Sequence, residues 1–176
     1  MKTGLSKAQR GVALGMACAC IAVIAIWTVA WFMPARTLST DMRSGLLGVS
    51  LLGPALSLAA GVGFIARHRF FHASAIDGQN PADDVVLARA RAYLTNTTEQ
   101  ALLATMVYPA MAFSLSEGWI LALPLCSFAF VIGRVGFAMG IGRPARHRAF
   151  GFAVTFYSTL SGVFVAIAIV AASLWR

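Results

Sequence analysis

Long stretches without a single charged side chain govern what this chain can become. Gly11–Met33, Gly45–Ala66 and Ala149–Trp175 carry none, and Trp119–Gly142 carries only Arg134. A helix needs roughly 20 apolar residues to cross the hydrocarbon core of a bilayer. Each stretch is long enough, and none alternates apolar and polar residues as a membrane strand would. The run Gly11–Met33 follows Lys2, Lys7 and Arg10 but is too long for the roughly 7–15 residues of a signal-peptide core. It reads as an uncleaved first span. The expectation is an all-α, multi-pass transmembrane helix bundle.

A further helix is less uniform. Asn80-Pro81-Ala82-Asp83-Asp84 resembles a helix start, with Asn as the cap, Pro at the first position and acids at the positive end. From Pro81 to Ser116 such a helix would run about 54 Å at 1.5 Å per residue. That exceeds the roughly 30 Å apolar core. Its first turns, with Arg89 and Arg91, should project beyond the lipid, while Ala101–Ser116 lies within it and Pro109 kinks it. On the second helix Gly53, Ser57 and Gly61 recur every fourth residue, a stripe that lets helices approach closely, and Pro54 should bend that helix.

Only 11% of the residues are charged, against roughly 25% in soluble domains. The net charge of +8 favours anionic partners. Nucleic acid is excluded, because the basic residues form short clusters between apolar runs rather than one basic face. With the N-terminus cytoplasmic, ten Lys and Arg residues lie inside and three outside, leaving Arg134 in the membrane. Two loops, near 67–80 and 143–148, would then face the cytoplasm. Cys18, Cys20 and Cys126 all lie in apolar runs and read as small buried residues. His68 and His72 are spaced to share a helix face, but no third metal ligand accompanies them, so a role at the membrane edge is the better reading and no metal is expected.

Polar groups inside an apolar span are expensive and usually face protein. The run Asn96-Thr97-Thr98-Glu99-Gln100 and Arg134 are such groups. Counted from the outer helix ends, Glu99 and Arg134 lie about 25 and 22 Å deep. An ion pair between them is expected, within one chain or across a subunit contact. It would either tie helices together or frame a ligand site. Asn96, Glu99 and Gln100 share a face with Tyr93 and Arg89, a stripe suited to a polar anion.

The chain resembles the MAPEG family (membrane-associated proteins in eicosanoid and glutathione metabolism). Asn96-Thr97-Thr98-Glu99-Gln100 is similar to the Asn-Thr-x-Glu-Gln run of bacterial members. Gly133-Arg134-Val135 resembles the family's Gly-Arg segment, and Arg148-Ala149-Phe150-Gly151-Phe152 the Arg-x-x-Gly-Phe start of its last helix. The resemblance implies a four-helix membrane domain over residues 45–176, preceded by an extra N-terminal transmembrane helix and loop over 1–44. It also implies a homotrimer with a ligand site opening to the cytoplasm, in a bacterial inner membrane.

The activity implied is that of a transferase or peroxidase using glutathione as co-substrate against lipophilic electrophiles or lipid peroxides. By position, Arg148 would stabilise the thiolate. Asn96 and Glu99 would hold the tripeptide, with Arg89 and Tyr93 on the same stripe, and Arg134 would organise Glu99. Lowering a thiol pKa by two units takes about 2.7 kcal/mol of preferential stabilisation. Ala92, Ala149, Ile141 and Phe152 occupy positions where catalytic members often carry Arg, Ser, Tyr and Tyr. The alternative implied by the same resemblance is a non-catalytic protein that binds or presents a membrane lipid. A transporter is a weaker third reading, since no internal repeat is visible.

Overall fold

A computed structural model of the chain describes residues 4–34, 37–78 and 84–175. Among them are five long helices and no strand: α1 Lys7–Phe32, α2 Thr40–Phe71, α3 Val85–Ser114, α4 Ala122–Gly140 and α5 Arg146–Leu174. α1, α2, α4 and α5 are each long and apolar enough to cross a membrane. α3 is less apolar than these four, because Arg89, Arg91 and the Asn96–Gln100 run dilute it. Its packing along α2 and α5 nevertheless places it in the bundle.

Local chemistry sets the helix ends. Ser6 and Gln9 form a reciprocal capping box at the start of α1. Ser39 accepts from the Met42 N–H at the start of α2. α3 begins later than its sequence suggests: Asp84 is the cap and accepts from the Leu87 N–H at 2.8 Å. The expected cap Asn80 and first residue Pro81 lie outside the described residues. The helices also consume part of the expected loops, since α2 continues to Phe71 and α5 already starts at Arg146.

Small residues decide how closely the helices approach. On α2, Gly53, Ser57 and Gly61 are buried. A Cβ on Gly53 would lie 2.8 Å from the Ser127 carbonyl of α4, so only hydrogen fits there. Pro54 lacks the N–H that would normally occupy the Ser50 carbonyl one turn earlier. Ser127 Oγ donates to that carbonyl instead, at 2.6 Å. Between α4 and α5 a Cβ on Gly151 would lie 2.6 Å from the Gly133 carbonyl.

At the end where α2 starts and α3 finishes, Arg43 Nη1 donates to the Ala112 and Leu115 carbonyls at 2.9 Å each. A cation there complements the negative end of α3. Trp27 and Trp31 pack on Trp119 at the same level, with ring centroids 5.8 and 4.8 Å apart. The core beneath is built from Tyr108, Met111, Leu123, Cys126 and Phe130.

α1 packs along α5, touches α4 and stands apart from α2 and α3. It buries only a narrow stripe, Ala19, Val23 and Ala30. This corrects one expectation: Cys126 is buried, but Cys18 and Cys20 flank Ala19 and are exposed on the outer face of α1. A helix that packs on α5 and only touches α4 has no protein of its own chain to cover its other sides.

Candidate functional site

A cavity of about 570 Å³ lies between α2, α3 and α4. The α2 stripe provides one wall: Gly61, having no side chain, leaves room for the Tyr93 ring of α3 to lie against the α2 backbone. A Cβ on Gly61 would sit 3.0 Å from Tyr93 Cε1, and the Tyr93 hydroxyl donates to the Ser57 carbonyl at 3.2 Å. Most of the remaining lining is apolar, including Leu56, Phe64, Val131, Val135, Met139 and Ile141.

Arg134 forms the polar end of this cavity. It is 1% exposed, the largest fully buried side chain described. Its Nη1 donates to Asn96 Oδ1 of α3 at 2.7 Å. Its Nε and Nη2 donate to Thr155 Oγ1 of α5 at 3.3 and 3.1 Å, and Nη2 also reaches the Gly151 carbonyl at 3.3 Å. The absence of a side chain on Gly133 and Gly151 lets α5 come close enough to supply these acceptors. The Phe137 ring covers one face of the guanidinium, 4.8 Å from its carbon. A guanidinium has five N–H donors, so these contacts leave one Nη1 hydrogen uncommitted. Every acceptor is neutral. Among the described residues the sole ion pair is His68–Asp84, so no carboxylate compensates the charge of Arg134.

The expected Glu99–Arg134 pair therefore takes another form within one chain. Asn96 stands between them, donating through Nδ2 to Glu99 Oε2 at 3.4 Å while accepting from Arg134. Glu99 is exposed on the outer side of α3. The stripe read from the sequence thus divides. Arg89, Tyr93 and Arg134 line the cavity, Asn96 braces Arg134, and Glu99 points away. Gln100 is buried with its Oε1 unpaired. Arg148 is not brought to this site: it lies exposed in the first turn of α5 and does not line the cavity.

Arg89 is positioned by the α4–α5 turn. Gly142 has φ +80°, and a Cβ there would run into the Arg89 guanidinium. Glycine is thus needed both for the backbone conformation and for space. Thr155, Gly151 and Ser57 are site residues that sequence reasoning missed. The α2 stripe was visible but read as ordinary packing, and Thr155 carries no signal beyond lying one turn after Gly151.

Outside the cavity, His68 Nε2 and Asp84 Oδ2 are 2.7 Å apart, which ties the end of α2 to the cap of α3. The His72 ring stacks on His68 at 4.0 Å. The Leu87 N–H and the His68 ring, both hydrogen-bonded to Asp84, hold its carboxyl below the usual carboxylate range. No group of three or more metal-ligating side chains occurs among the described residues.

The site can therefore offer an entering anion two guanidiniums in otherwise apolar surroundings, beside a phenol whose proton is given to the Ser57 carbonyl. Compared with known proteins, residues 44–168 match a model described as the MAPEG family. No curated protein and no solved structure matches.

Proposed function

The chain belongs to the MAPEG family, and from that premise we propose that it is a membrane glutathione transferase or peroxidase acting on lipophilic electrophiles or lipid peroxides. One observation carries the reading: Arg134 is a buried cation whose partners are all neutral, set in the wall of a cavity. A charge taken out of water and left uncompensated is costly, and an anionic ligand would offset it. Glutathione brings two carboxylates and, once deprotonated, a thiolate.

In this reading Arg134, Arg89 and Tyr93 receive anionic and polar groups in the cavity, and Asn96 and Glu99 hold the tripeptide. Arg148 favours thiolate over thiol by placing a positive charge near sulfur. The thiolate attacks an electrophilic carbon of a substrate arriving from the bilayer, and the leaving group departs with the electron pair. Glu99 and Arg148 lie on the outside of a single chain. A homotrimer would place such surfaces between copies, which also answers the cost of a carboxylate facing lipid. The Lys and Arg distribution supports a cytoplasmic N-terminus and a cavity mouth on that side, and the bacterial-type Asn96–Gln100 run supports an inner-membrane location.

A second reading, a non-catalytic lipid binder, is favoured by the apolar lining of the cavity, which suits an acyl chain better than a tripeptide. The two separate on purified trimers. Titration calorimetry with glutathione and turnover of a chromogenic aryl halide should both be positive for the enzyme. Arg148→Ala should abolish turnover with the trimer intact. Absence of glutathione binding at millimolar concentration, with an anionic lipid bound instead, would leave the second reading.

A further inference from the structure

The helix outside the family match also builds something. α1 and α5 run parallel, in a constant register. Gly11 lies against Arg146, Gly15 against Ala149, Ala19 beside Ala153, and the Trp27 indole N–H donates to Ser161 Oγ at 2.9 Å. The approach is close at the amino-terminal ends, where a Cβ on Gly11 would lie 2.9 Å from Arg146 Cβ and one on Gly15 3.0 Å from Ala149 Cβ. Lys7 sits one turn before Gly11 on the same stripe, and Arg10 is adjacent to it in sequence.

This register brings Lys7 and Arg10 to the level of Arg146, all three exposed, at one end of the bundle. Neither helix carries an acid in its first turn, and α5 has no side-chain cap. Two parallel helices also present their positive dipole ends together. Arg10 Nε is used on the Leu5 carbonyl, and Arg146 Nε on His147 Nε2. The one ion pair among the described residues lies elsewhere, between His68 and Asp84. Like charges held this close repel unless an anion lies between them. The edge belongs to two membrane-spanning helices at the level where apolar sequence gives way to polar, which is where lipid headgroups lie.

We propose that the adjacent amino-terminal ends of α1 and α5 form a site for the phosphate of an anionic phospholipid, and that the bound lipid fastens α1 to the rest of the bundle. The site differs from the cavity and is independent of the glutathione reading. α1 supplies Lys7 and Arg10, so the family-matched region alone holds only Arg146.

The test uses the full chain, delipidated in neutral detergent. Binding of phosphatidylglycerol, phosphatidylcholine and inorganic phosphate is compared by native mass spectrometry, and the melting midpoint is followed for each. Phosphatidylglycerol should bind the wild type and raise its midpoint. The double variant K7Q/R10Q should bind it roughly tenfold more weakly or worse, since each basic residue near an anionic headgroup contributes appreciably. The charge-matched control R67Q/R91Q should bind like the wild type, and the conservative K7R/R10K should retain binding. Equal binding of the two phospholipids would overturn the proposal, as would equal loss in both glutamine variants. Competition by inorganic phosphate at concentrations matching the lipid would replace the lipid with a free anion and also overturn it.

Discussion

Ser127 Oγ of α4 donates to the Ser50 carbonyl of α2 at 2.6 Å, and that carbonyl is free because Pro54 has no N–H to fill it. A proline in the middle of a membrane helix is thus repaired by its neighbour, and the repair becomes a joint between helices.

Ser127→Ala should therefore destabilise the protein by about 1–2 kcal/mol, because a buried carbonyl loses its donor. In a Pro54→Ala background the helix can satisfy that carbonyl itself, and the same change should be close to neutral. Denaturation in detergent of the four proteins of this cycle measures the coupling. Equal effects in both backgrounds would refute the account.

Asn96 should be replaceable in two informative ways. Asn96→Leu leaves Arg134 Nη1 without its acceptor and should lower stability by roughly 1.5–3 kcal/mol, the range for hydrogen bonds to charged groups. Asn96→Asp places a carboxylate beside the guanidinium. That variant should fold at least as stably as wild type and bind anionic ligands at least about tenfold more weakly, because Arg134 then has its counter-charge. Ligand titration beside thermal melting separates the two effects.

Gly142→Ala should disturb the cavity without touching the helices. Alanine is strained at φ +80°, and its Cβ would displace the Arg89 guanidinium. The expected result is a stability loss of about 1 kcal/mol or more, together with weaker anion binding than in Gly118→Ala, where no neighbour lies close to an added Cβ.

Acid should loosen the tie between α2 and α3. The Asp84 carboxyl is held below its ordinary value by the Leu87 N–H and His68. Its stabilisation is then fully present above the unfolded value of about 3.9 and is lost as pH falls through the lower folded value. The difference in melting midpoint between wild type and Asp84→Ala should be present at neutral pH and shrink below about pH 4. A difference that grows in acid would contradict the assignment.

Much of the fold could be read from the chain because lipid imposes a simple rule on it: long apolar runs, uncharged but for Arg134, became the spans of α1, α2, α4 and α5. The third helix was legible through its polar run, but its start was not. Asn80-Pro81 has the chemistry of a cap, yet Asp84 takes that role, because its other carboxylate oxygen is also bound by His68 from α2. The depth argument placed Glu99 and Arg134 at one level but could not fix rotation about α3. Asn96, three residues earlier, turned out to face Arg134, while Glu99 faces outward. Thr155 was invisible because its role depends on how closely two glycines let α4 and α5 approach. Cys18 and Cys20 were misplaced because apolar sequence does not distinguish a protein neighbour from a lipid one.

The pairing of α1 with α5 has a consequence for synthesis. α1 docks on α5, which is made later, so α1 must wait in the bilayer while α2, α3 and α4 are threaded. A sparse contact stripe of alanine, valine and glycine lets it do so, since almost all of its surface is already at home among acyl chains. The α1–α5 joint should then close only once α5 has itself entered the bilayer, as a late event in assembly.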